Sequence, residues 1–183
     1  MSRVIATDRQ TMIDGAISLI EREGKDALSA RALGGELGIS TQPIYREFGD
    51  MDGLRAAALG RGFEIYGEYV KGDALAQAVG YVTFAAERSE LFDFLFRGKH
   101  YEYKGLDDVA HKLLPTTDII ERLVDITGLE REKVYRLHLC VWMALNGLAT
   151  MCVDNTTSVT TDEIEAWVKE LTQGMTAYYG GKK

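Results

Sequence analysis

The segment from Ser29 to Phe48, S-A-R-A-L-G-G-E-L-G-I-S-T-Q-P-I-Y-R-E-F, restricts the fold more tightly than any other part of the chain. Ser29 and Ser40 are each placed to cap a helix, because a hydroxyl just before the first turn accepts a bond from a backbone N–H that has no intrahelical partner. Leu33 and Leu37 lie four apart and share one helix face. Gly38 follows at the point where a chain leaving a helix turns left-handed, which glycine does without steric cost. Ile39 can plug the junction and Ser40 opens a second helix. Pro43 falls in its first turn, where no intrahelical N–H bond is lost. The spacing predicts two short helices joined by a tight turn.

The second helix divides into two faces. Ile44 and Phe48 share one side and are expected to pack on Leu33 and Leu37. Thr41, Gln42, Tyr45 and Arg46 gather on the opposite, exposed side. These residue types suit a major groove: Gln can bond adenine bidentately, Thr can bond a base edge or touch a thymine methyl, and Tyr and Arg can hold phosphates. A helical hairpin whose outer face is merely solvated has the same spacing, so spacing alone leaves both readings open.

Further elements extend the pattern in both directions. They are A-x-x-L-I-x-x-x-G at 16–24, A-L-S-x-R-A-L at 27–33, L-G-I-S at 37–40 and I-Y-R-x-F at 44–48. With these in order, residues 12–59 of the 183 resemble the N-terminal domain of the tetracycline-repressor (TetR) family of transcriptional regulators. The resemblance implies a helix-turn-helix that binds double-stranded DNA, with Arg31, Ser40, Thr41, Gln42, Pro43, Tyr45 and Arg46 as contact residues. It further implies a homodimer on a palindromic operator, released by a small-molecule effector, with repression as the default outcome. Two positions depart from the family pattern. Glu47 stands where the family commonly has His, and Met51 where it commonly has Lys, both near DNA phosphates. Phosphate grip is expected to be weaker at that edge, with Arg46, Arg31, Arg3 and Arg9 left to compensate.

The charge balance bears on the same question. The formal net charge is −7, and residues 1–60 hold seven Lys/Arg against nine Asp/Glu. That argues against a protein that coats DNA through phosphate neutralisation, but not against one that concentrates a few cations on one face. No run approaches 18 consecutive apolar residues, so no membrane span is expected. The opening M-S-R-V-I-A-T-D-R-Q is too polar for a signal peptide, which makes a cytoplasmic location the default. Cys140 and Cys152 fall on one predicted helix, about 18 Å apart by helical rise. A disulfide between them is excluded, and both read as small buried hydrophobes.

Helical periodicity runs through the rest of the chain, and strand-like alternation is missing. The expected fold is all-α, with an N-terminal three-helix DNA-binding domain at 1–50 and a C-terminal helical bundle for dimerisation and ligand binding at 51–183. Helices are predicted from Met51 to about Val70 and at 74–87, 90–97, 106–113, 116–127, 130–152 and 161–178. In the helix at 130–152, Val141, Leu145 and Leu148 belong to an apolar stripe, and Ile164, Trp167, Val168, Leu171 and Met175 repeat the pattern in the last helix. Two helices this apolar have more to bury than one small domain covers, so these eight residues are the expected dimer interface. W-M-A-L-N-G-L-A-T-M at 142–151 also resembles the helix that builds a four-helix dimer interface in TetR-type regulators.

An effector would be bound by aromatic and polar groups on apolar faces. Tyr66, Phe92, Phe96 and Tyr103 are candidates, along with Phe84 and His111, although aromatics at helical spacing equally fill a core. His138, Trp142 and Asn146 form one polar-aromatic line, which suits either a pocket or a buried dimer contact. No metal-ligand spacing, nucleophile motif or phosphate-cradling loop occurs, so neither cofactor nor catalysis is expected. Two other classes fit the composition: an interaction dimer with a degenerate DNA-binding head, and an architectural DNA binder without an effector.

Overall fold

The computed structural model describes residues 8–97, 104–112 and 117–180, and all regular structure among them is helical. The helices are α1 (Arg9–Glu23), α2 (Ala30–Leu37), α3 (Thr41–Phe48), α4 (Met51–Tyr69), α5 (Ala74–Glu87), α6 (Ser89–Phe96), α7 (Leu106–Lys112), α8 (Thr117–Thr127), α9 (Arg131–Val153) and α10 (Thr161–Tyr178). A 3-10 turn at Lys25–Ala27 links α1 to α2. The helices expected from periodicity match these to about a residue at each end.

Side-chain caps set many of the starts. The third backbone N–H of α1, α2, α4, α5 and α10 donates to Asp8 at 2.7 Å, Ser29 at 3.2 Å, Asp50 at 2.8 Å, Asp73 at 2.9 Å and Thr160 at 3.3 Å respectively. Thr160 N–H in turn donates to the Glu163 carboxylate at 2.8 Å, completing a capping box. Ser40 departs from this pattern. It has the extended backbone of a cap, but its hydroxyl makes no capping bond, contrary to expectation. The third residue of α3 is Pro43, which has no N–H to donate.

The turn between α2 and α3 is as expected. Gly38 is left-handed at φ 65°, ψ 30°. Its N–H donates to Gly35 O at 3.4 Å and the Ile39 N–H to Gly34 O at 2.9 Å, the reciprocal pattern of a Schellman ending.

The chain forms two compact units. One holds residues through Glu68 together with Glu87–Gly98, and the other holds Tyr69–Ala86 and the chain from Lys99 onward. The first unit is therefore larger than the 1–50 domain expected. Its core joins Ile20, Leu28, Leu33 and Ile44 to Leu54 of α4 and to Leu91, Phe92 and Leu95 of α6, all fully or nearly fully buried. Three short helices have too little apolar surface to close a core alone, and α6 completes it from a distant part of the sequence.

In the second unit α9 packs against α7, α8 and α10. Val134, Leu137, Val141, Leu145 and Ala149 are its buried ridge, and α10 adds Ile164 and Val168. The Thr127 hydroxyl, buried at the end of α8, donates to Leu123 O at 2.6 Å and accepts from Leu129 N–H at 3.3 Å. By length and composition α9 passes the test for a bilayer span, a test that core helices also pass.

Replacing Gly38 by Ala forces a Cβ into the left-handed region. The expected cost is about 1–2 kcal/mol of stability, read by chemical denaturation, with no loss of helix content.

Candidate nucleic-acid interface

The outer face of α3 is built from beneath. Ile44 is 1% exposed and Leu33 of α2 is 0% exposed, while Leu37, Ile39 and Phe48 are partly covered. On the far side Thr41, Gln42, Tyr45 and Arg46 are all exposed, and Pro43 is half-covered at the rim. Ser40 is exposed at the amino end of the helix. Arg31 is exposed on α2, on the side away from the buried Leu33. The structure thus brings the seven predicted contact residues to the surface of two adjoining helices, and among the described residues no side-chain hydrogen bond or ion pair engages Thr41, Gln42, Tyr45, Arg46 or Arg31. Glutamine, threonine, tyrosine and arginine so presented are the groups that read base edges and hold phosphates.

The edge of this face is more strongly paired than expected. Arg9 Nη1 lies 3.4 Å from both the backbone O and Oε1 of Glu47, and the guanidinium stacks over Phe48 at 4.7 Å from the ring centre. The anion at position 47 therefore has its own counter-charge, and Arg9 is engaged rather than free. Glu47 is exposed, and the pair is screened by solvent. Met51 opens α4 and is partly covered. Arg3 lies outside the described residues.

A capped helix, a left-handed Schellman turn and a second helix with an outward polar-basic face define a helix-turn-helix DNA-binding head. Residues 12–58 match the family described as bacterial regulatory proteins, tetR family. The match covers these residues alone, and it supports a DNA-binding head of the tetR type in that part of the chain. A comparison with curated proteins finds no match. Among solved structures, the chain is similar to a protein of unknown function from Rhodococcus sp. RHA1, at 23% identity and a TM-score of 0.63. The likeness covers 91% of this chain and 93% of that one, and at this identity it is one of fold.

The candidate effector residues divide between the two units. Tyr66, Phe92 and Phe96 sit in the first unit with Phe63, in an aromatic cluster with ring centres 5.0–6.4 Å apart. Phe92 is fully buried and burial raises the Tyr66 phenol above its usual range. These are core contacts of the head, as edge-to-face aromatics commonly are. His138, Trp142 and Asn146 lie in the second unit, all partly covered. Trp142 packs on the buried pair Ala110 and Leu139. The Tyr81 hydroxyl donates to Asn146 Oδ1 at 3.0 Å. Tyr81 carries no signal in the sequence, since its partner is a distant residue on another helix. Phe84 is fully buried, and His111 is exposed with its ring on Tyr135 at 4.3 Å. Tyr103 lies outside the described residues.

The apolar residues of α9 and α10 also sort differently from expectation. Val141, Leu145, Ile164 and Val168 are buried within the chain itself, and Leu148, Leu171 and Met175 are partly covered. Of the eight expected interface residues only Trp167 is exposed, at 41%. The apolar surface left open consists instead of Met143, Met151, Trp167 and Tyr178. Exposed Cys140, Gly147 and Gly174 lie on the same helices. Cys140 is therefore not the buried hydrophobe expected, whereas Cys152 is. Periodicity marks an apolar stripe, but a helix apolar around most of its circumference leaves open which part faces inward.

Burial pushes the His138 imidazole down to about 4 from its ordinary 6.5. The folded chain holds it neutral, so the unfolded chain takes up the proton first as pH falls. Stability is full above 6.5 and declines toward 4. Between pH 7 and 5 the loss is about 2 kcal/mol at most, and His138→Gln removes this part when denaturation midpoints are compared at the two values.

Proposed function

We propose that the chain is a homodimeric, effector-responsive repressor that reads a palindromic operator with α3. The observation that carries this reading is the joint exposure of Thr41, Gln42, Tyr45 and Arg46 on a helix anchored by buried Ile44. Gln42 and Thr41 read base edges. Tyr45, Arg46 and Arg31 hold phosphates, with Ser40 and Pro43 at the groove rim. Two heads in one dimer read half-sites one or more DNA turns apart, about 34 Å each. The protein works in the cytoplasm, where the DNA is.

A second copy covers the open face of α9 and α10. Met143, Met151, Trp167 and Tyr178 are 41–79% exposed, and the small residues beside them allow close helix approach. The effector binds in the second unit beside His138, Trp142 and Asn146. It acts by its differential affinity for the DNA-competent and DNA-incompetent forms of the dimer. The degenerate-head alternative draws on the acidic head, Glu47 and Met51; of these, Glu47 is paired with Arg9.

Purified protein incubated with genomic fragments at about 150 mM salt should enrich a palindrome. No enrichment, either as purified or after refolding to strip a bound effector, overturns the reading. Gln42→Ala should weaken the selected site by about 1–3 kcal/mol and relax base preference at one position per half-site. Trp167→Glu should give a folded monomer by sedimentation; a persistent dimer would place the interface elsewhere.

A further inference from the structure

The acidic head contains a sorted set of cations. Among its described residues are nine Lys/Arg side chains, and six of them are in ion pairs. Arg9 pairs with Glu47, Arg22 with Glu23 and Glu36, and Arg61 with Asp14 and Glu64. Lys25 and Arg97 share Asp93, and Arg88 pairs with Glu21. Arg31, Arg46 and Arg55 have no ion pair among the described residues, and all three are exposed. One lies on each of α2, α3 and α4. The nine Asp/Glu of residues 1–60 thus do not oppose DNA uniformly, since many are matched to cations of the head itself.

Arg55 is the member of this set that the sequence does not advertise. Only Gly49 and Asp50 separate α3 from α4, and the first turn of α4 lies hard against the end of α3. A Cβ on Gly53 would sit 2.1 Å from the Phe48 carbonyl oxygen, so only glycine permits that approach. Arg55 is two residues further on, one helical turn after Met51 and on the same face. Helical side chains lean toward the amino terminus, which carries the Arg55 guanidinium back over the turn that Met51 opens. Buried Leu54 holds that turn in place at 0% exposure. Two acids share this end. Asp50 is tied to its own helix by the Gly53 N–H at 2.8 Å, and Asp52 makes no ion pair with Arg55.

We propose that Arg55 is a phosphate-binding residue, the third of a set with Arg31 and Arg46, and that it supplies from the second turn of α4 the cation missing at Met51. The six paired cations contribute no phosphate contact. This assignment rests on the α3 reading above and adds to it a residue that neither the helix-turn-helix pattern nor the family match singles out.

The test is the salt dependence of binding to a random-sequence duplex of about three helical turns, followed by fluorescence anisotropy from about 50 to 200 mM NaCl. Each phosphate neutralised contributes about 0.9 to the slope of log K against log salt. Arg55→Gln should flatten the slope by about 0.9 per head, and Arg55→Lys should keep it. Arg61→Gln removes the same charge from the same helix but from a paired position, and should leave the slope unchanged. An unchanged slope in Arg55→Gln overturns the proposal, as does equal flattening in Arg61→Gln, which would make the effect one of net charge. Arg46→Gln separates the two levels. If it flattens the slope and Arg55→Gln does not, only Arg55 is misassigned. If the unsubstituted protein binds no duplex even at about 50 mM NaCl, this proposal falls while the palindrome selection still decides the α3 reading; if Arg46→Gln is also silent, the phosphate role of α3 falls and this proposal with it.

Discussion

Ile44 holds α3 to the head from beneath, and the presentation of the outer face depends on that contact. An isolated helix of eight residues is marginal in water. α3 also lacks the side-chain cap that other helices of the chain possess, a contribution of about 1 kcal/mol. What remains is tertiary: burial of the Ile44 side chain, worth about 1.5–3 kcal/mol, against α2 and its Schellman turn. The direction of α3 is set at both ends, by Gly38 before it and by the close contact of Gly53 with Phe48 after it. The polar face points outward because the apolar one has a single place to go.

Electrostatics then refine that face. Surface ion pairs such as Arg22 with Glu36 and Arg61 with Asp14 contribute little to stability. Their larger consequence is local neutrality, which lets a head with more acids than bases keep a few arginines unmatched. Glu47 illustrates the point. Taken alone it is an anion at the edge of the α3 face, yet with Arg9 stacked on Phe48 and facing it, the pair carries no net charge.

The features legible in the sequence were the local ones. Helix limits, the left-handed Gly38 and the two faces of α3 follow from spacings of three or four residues and from the steric latitude of glycine. Local rules failed at Ser40, where the proline three residues on removes the N–H that a cap would bind. Non-local pairings carried no comparable signal. Nothing near Ser89–Phe96 shows that α6 completes the core of the head, and nothing near Asn146 points to Tyr81. Periodicity does not fix the inner and outer sides of α9 and α10 for a related reason. Val141 and Met143 are equally apolar on paper, and only the packed neighbours decide that one is buried and the other half-exposed.

The matched charges of the head bear finally on how the protein finds its site. Proteins rich in free cations linger on any DNA and search by sliding, because phosphate attraction is indifferent to sequence. A head with six of nine cations already engaged has little such attraction, and the chain as a whole carries a charge of −7 that repels the duplex at a distance. On the proposed function, such a head visits random sequence briefly, searches mainly by dissociation and re-encounter, and resides where base contacts add to the few phosphates it can hold.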